Sequence, residues 1–96
     1  METNFTFRHI EPSDALKQHA LDKLGKLTKY EVLPAHIHVI FTKERFQHIV
    51  EITVNTNGVQ YVSQEKEKDM YASLDLAVQK LERQLKKSKE RLKEHR

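Results

Sequence analysis

His48–Gln64 reads HIVEITVNTNGVQYVSQ. Two alternating runs flank Asn57-Gly58, the pair that favours a two-residue type I′ turn because both central residues need positive φ. That turn pairs Thr56 with Val59, Val54 with Tyr61 and Ile52 with Ser63. Val50, Ile52, Val54, Tyr61 and Ser63 then share one face, and a one-residue slip would turn every one of them over. The stretch is therefore a β-hairpin with one side committed to a core.

Working outward, His36–Lys43 (HIHVIFTK) is a third strand, with Ile37, Val39 and Phe41 alternating against His36, His38 and Ile40. Thr3–His9 (TNFTFRH) is a fourth, carried by Phe5 and Phe7. Between these two, Ser13 is a good N-cap and Asp14 suits the first turn of a helix, where the helix dipole favours a carboxylate. Leu16, Ala20, Leu24 and Leu27 follow as one apolar stripe. Gly25 is expected inside this helix at a close packing approach. Pro34 blocks its continuation. After the hairpin, Asp69 caps a last helix over Met70–Arg96, with Met70, Leu74, Ala77, Leu81, Leu85 and Leu92 as its stripe and Val78 beside it.

The order β-α-β-β-β-α predicts a single α+β domain: a four-stranded mixed sheet with two helices on one face. A β-α-β start implies a right-handed crossover, and the meander after it is antiparallel. The other sheet face, with His38, Ile40, Thr53, Asn55, Gln60 and Val62, is expected to stay open. Ninety-six residues suit one domain with one thin core. Residues 1–87 form the domain, and residues 88–96 a basic helix end or tail, since only Leu92 remains there to anchor it.

Charge is segregated. Residues 80–96 hold eight Lys and Arg against three Glu, a balance of +5, while residues 1–79 hold nine basic and eleven acidic residues, a balance of −2. Lys80, Arg83, Lys87 and Arg91 gather within about 80° of the last helix, away from its apolar stripe. Lys23, Lys26 and Lys29 step along the first helix, also away from its buried side. If the helices lie side by side, the two rows flank one groove. Such rows suit a nucleic-acid backbone, because each phosphate contacted releases condensed counterions. The plainer alternative is a solvated face rich in Lys and Glu.

Other chemistries find less support. Without cysteine there is neither a disulfide nor a thiolate site. His36 and His38 share a strand face, but His48 belongs on the core side with Val50 and Ile52, so the three do not converge and no metal or cofactor is expected. No phosphate-cradling glycine motif and no nucleophile elbow is present, so no catalytic residues and no small-molecule substrate are assigned. The last helix could lie on an anionic membrane, but the sheet needs its stripe as core, and the stripe lacks Trp and Phe. No apolar run approaches the roughly 20 residues of a bilayer span, and the N-terminus has no signal-peptide pattern. A cytoplasmic protein is expected.

Asp69-Met70-Tyr71-Ala72, then Asp75, then Lys80-Leu81-Glu82-Arg83-Gln84-Leu85 resembles the signature of the ribosome hibernation promoting factor family, which includes the ribosome-associated inhibitor (protein Y) branch. ALKQHALDKLGKLTKY (Ala15–Tyr30) resembles the family's first helix, and the Asn-Gly hairpin sits where the family has one. The resemblance covers essentially the whole chain. It implies a fold like a double-stranded-RNA-binding domain. It implies binding in the mRNA and tRNA channel of the small ribosomal subunit, blocking translation and protecting idle ribosomes in stationary phase or stress. It implies contact with ribosomal RNA through Lys23, Lys26, Lys29, Lys80, Arg83, Lys86 and Lys87. Lys89 and Arg91 rest on charge alone. With the sequence ending at Arg96, the short form of the family is expected, without a second dimerising domain. Short members can act with a separate ribosome-dimerising factor. Phe7 departs from the pattern, at a position where something small or polar is expected. The alternative function is a generic RNA-binding module of the same fold.

Overall fold

The computed structural model describes residues 2–30 and 35–94, with side chains described through Ser88. Its elements are β1 (Glu2–Arg8), α1 (Asp14–Gly25), a 3-10 helix (Lys26–Tyr30), β2 (Ala35–Glu44), β3 (Gln47–Thr56), β4 (Val59–Glu67) and α2 (Met70–Glu94). The strands form one sheet in the order β1-β2-β3-β4. β1 and β2 are parallel, as the helical crossover requires, and the other pairs are antiparallel. This is the α+β architecture expected from the sequence.

The β3–β4 register pairs Thr56 with Val59, Val54 with Tyr61 and Ile52 with Ser63. Asn57 and Gly58 both take positive φ, 52° and 75°, as a type I′ turn demands. β1 ends one residue earlier than its sequence pattern, because His9 adopts a left-handed φ of 61° that breaks the extended chain. Ser13 caps α1, its Oγ accepting the Leu16 N–H at 3.2 Å. Asp69 does the same for α2, accepting the Tyr71 N–H at 2.9 Å.

Both helices cover one sheet face. Leu16, Ala20, Leu24 and Leu27 meet Ile37, Val39 and Phe41, and Met70, Leu74, Ala77, Val78, Leu81 and Leu85 complete the same core with Val50, Ile52 and Val54. Phe7 fits here as a packing residue: its ring stacks on Phe41 at 4.9 Å between centroids, with Phe5 at 6.3 Å on the same ring. Two buried serines tie α2 to the sheet. Ser63 Oγ donates to the Ala77 carbonyl at 2.8 Å, and Ser73 Oγ to the His48 carbonyl at 2.6 Å. Small residues at these points satisfy buried polar atoms and let the helix approach closely.

Gly25 is not at a close approach. It is exposed, it is the last α-helical residue, and a Cβ there would meet nothing within 4 Å. The chain tightens into the 3-10 helix immediately after it, so its weak helix propensity ends α1 and opens no room for a neighbour. The face opposite the helices is open, as expected at His38, Asn55, Gln60 and Val62; Ile40 and Thr53 on it are half-buried, and Ile49, between Thr42 and Lys66, is buried on it. Pro34 lies outside the described residues, as do the side chains of Lys89, Arg91 and Leu92.

Candidate nucleic-acid interface

α2 has 3.6 residues per turn, so its non-core residues divide among three directions. Towards β4, Lys80 Nζ lies 4.0 Å from Glu65 Oε1, and Gln84 Nε2 donates to the Val62 carbonyl at 2.9 Å. That last bond satisfies a carbonyl on the edge strand and occupies part of the edge itself. Towards α1, Asp75 Oδ1 accepts from His19 Nε2 at 2.7 Å, and Glu82 accepts from the Tyr30 hydroxyl at 3.2 Å. Lys29 Nζ sits 4.0 Å from the same Glu82 carboxylate and 5.2 Å from the Tyr30 ring centre. Arg83 and Lys87 fall between these two sides and point outward, both exposed.

The cations of α2 come together. Lys80, Arg83, Lys86 and Lys87, with Gln84, line one shallow concavity of about 550 Å³ on the outer surface. On the first helical segment, Lys26 and Lys29 are exposed and Lys23 is half-buried. Lys26 and Lys29 lie in the 3-10 helix, where residues three apart eclipse one another, so they share a side.

The two rows do not face each other across an all-cation groove. The seam between the helical segments is occupied by Asp75 and Glu82, each paired with a residue of the first segment. The physical reason is rotation: Glu82 and Asp75 sit on the α1 side of α2, which leaves Arg83 and Lys87 turned outward. Lys89 and Arg91 lie where side chains are not described, so their place relative to the concavity is outside the described residues.

The sequence reading missed the counter-groups. Glu65, Glu82 and Tyr30 pair with residues 15 to 53 positions away, and no local spacing signals such contacts. It also missed the Tyr61 hydroxyl, which donates to Ser88 Oγ at 2.7 Å. Helix α2 is therefore held to the sheet one turn beyond Leu85, where the apolar stripe alone left no anchor before Leu92. Among the described residues, no group of three or more His, Cys, Asp or Glu is placed to hold a metal ion. No described helix is long and apolar enough to cross a membrane.

Residues 3–93 match the family described as sigma 54 modulation protein / S30EA ribosomal protein. The chain belongs to that family. Its relatives include ribosome hibernation promoting factors. The one from Salmonella typhimurium (strain LT2) is 33% identical over 95 residues, covering 99% of this chain and 100% of the relative. The one from Pseudomonas putida is 34% identical over 91 residues, covering 95% and 89%. Among solved structures, the N-terminal domain of Thermus thermophilus Protein Y superposes with a TM-score of 0.85 at 28% identity, covering 91% of this chain and 98% of that one. A ribosomal subunit interface protein from Coxiella burnetii gives a TM-score of 0.81 at 31% identity, covering 93% and 98%. The two-helix, four-stranded mixed sheet is thus the S30EA fold, and the Asp69–Leu85 signature falls on the S30EA helix that carries the basic concavity.

Proposed function

We propose that this protein is a ribosome hibernation factor that binds the small ribosomal subunit in its mRNA and tRNA channel. Occupancy blocks translation and stabilises idle ribosomes in stationary phase or stress. The carrying observation is the exposed concavity of Lys80, Arg83, Lys86 and Lys87 on a helix fixed to a rigid sheet, in a chain whose relatives are named ribosome hibernation promoting factors. The ligand is ribosomal RNA. Each phosphate contact releases counterions, which supplies affinity without base-specific readout. Lys23, Lys26 and Lys29 form a second, smaller positive surface across the Asp75–Glu82 seam. Lys89 and Arg91 are assigned on charge alone as further RNA contacts, within residues 88–96 as a basic extension of the 1–87 domain.

The action is occlusion and involves no catalysis, cofactor or small-molecule substrate. It takes place in the cytoplasm, where ribosomes are. A separate ribosome-dimerising factor is a compatible partner, because the sheet face opposite the helices stays open while the helices hold RNA.

Charge reversal at Lys26, Arg83 and Lys87 together tests this reading. All three are exposed, so the variant should fold normally. It is expected to leave the small-subunit fraction in sucrose gradients, and undiminished co-sedimentation would overturn the assignment. Free duplex RNA should compete poorly with small subunits; equal competition would instead favour a generic RNA-binding module.

A further inference from the structure

The strongest departure from local rules lies at the other end of the sheet. β2 and β3 are joined by Arg45-Phe46 alone, since Glu44 pairs with Gln47. Arg45 takes a φ of 43° and Phe46 does not take a positive one. A positive φ in a two-residue hairpin turn favours glycine, asparagine or aspartate. This chain places an arginine there and a phenylalanine beside it.

Phe46 is 86% exposed. The chain has four phenylalanines and three tyrosines. Phe5, Phe7 and Phe41 stack together, Tyr71 packs on His19, Tyr30 bonds to Glu82, and Tyr61 bonds to Ser88. Among the described residues, Phe46 alone of these seven has neither a ring contact nor a hydrogen bond. Around it, His9, Lys43, Glu44, Arg45 and Gln47 complete the wall of a shallow concavity of about 760 Å³. His9 is a second non-glycine residue with positive φ, at 61°. Two strained positions and an exposed ring therefore meet at one place. Conformational strain of this kind persists where the surroundings enforce it, and it concentrates at binding sites.

We propose that the Arg45-Phe46 turn is a second RNA contact, at which the Phe46 ring stacks on an unpaired ribosomal RNA base while Lys43 and Arg45 hold the adjoining phosphates. This rests on the ribosome-binding function proposed above and extends it. A solvent-facing ring on a two-residue turn is an accessible stacking platform, and flanking cations are the usual complement of single-stranded RNA. Glu44 is the one fixed anion in the wall, against two fixed cations, so the net field favours a polyanion.

The placement adds to the argument. Ser73, near the start of α2, bonds to the His48 carbonyl, two residues beyond Phe46. Lys87 is fourteen residues further along α2, a separation of roughly 20 Å. The turn and the basic concavity thus engage RNA at two separate points, and binding at one raises the effective concentration of the other.

The chain has no tryptophan, so Phe46→Trp introduces a single reporter. Its fluorescence should be quenched on titration with small subunits, and unchanged emission at saturating subunits would overturn the stacking contact. Phe46→Ala should weaken subunit binding about 5- to 160-fold, the range for losing one stacked base, with the same thermal unfolding as the unsubstituted protein. Its salt dependence should not change, because no charge is lost, whereas Lys43→Ala with Arg45→Ala should flatten it. Phe46→Tyr should restore binding and Phe46→Leu should not. Full binding by the Leu variant would assign the turn to an apolar protein surface and overturn the RNA contact. If the unsubstituted protein binds but Phe46→Ala binds equally well, this inference fails alone. If the unsubstituted protein does not bind subunits, the proposed function fails with it.

Discussion

The Tyr61 hydroxyl on β4 donates a 2.7 Å hydrogen bond to Ser88 Oγ on α2. This bond lies beyond Leu85, the final core leucine of α2 among the described residues. It therefore fixes the helical turn that presents Lys86 and Lys87. Tyr61→Phe keeps the ring and removes only the bond, at a cost of about 0.5–1.5 kcal/mol. The loss should be local. Amide exchange should accelerate in α2 from about Gln84 onward while the central strands keep their protection. Uniform acceleration across the sheet would show that the bond supports global stability instead.

Salt dependence tests the phosphate contacts proposed for the concavity. Each contact contributes about 0.7–0.9 to the slope of log K against log salt. Arg83→Ala with Lys87→Ala should reduce that slope by about 1.4–1.8 in equilibrium binding to small subunits. A weakened affinity with an unchanged slope would mean that these side chains contact something other than phosphate.

Glu82 tempers the positive surface, because its carboxylate lies 4.0 Å from Lys29 Nζ. Glu82→Gln keeps an acceptor for Tyr30 and removes the negative charge. Affinity for small subunits should rise several-fold at low salt, with the gain fading as ionic strength screens it. Stability should change by less than about 1 kcal/mol, as exposed ion pairs contribute little. An affinity that falls would show that Glu82 itself orients a binding group.

Gly58 carries a φ of 75° at the β3–β4 turn. Nothing lies within 4 Å of a Cβ built there, so Gly58→Ala isolates the backbone penalty from any clash. The substitution should destabilise the domain by about 1 kcal/mol, close to the cost of the left-handed region for an L-residue. For a domain of this size that is a fall of roughly 4–8 °C in Tm. Subunit affinity at low temperature should be retained. At Gly25, which has no positive φ and equal space, Gly25→Ala should be neutral or stabilising.

The hairpin His48–Gln64 was legible down to its register, because a two-residue period and an Asn-Gly turn leave one pairing that buries a whole face. The two helices were legible from their stripes, and the convergence of Lys80, Arg83 and Lys87 followed from helical spacing alone. These are properties of short segments with fixed geometry, so the sequence by itself determined them. The relation between the helices was not of that kind. Lys29 and Glu82, His19 and Asp75, Lys80 and Glu65, and Tyr61 and Ser88 are brought together only when α1 and α2 settle on the sheet at one rotation. That rotation is set by core packing, which no local period encodes. It placed carboxylates in the seam where facing rows of cations were expected, and it turned Arg83 and Lys87 towards solvent. It also left Gly25 with open space around it, since close approach depends on a neighbour that only the folded chain supplies.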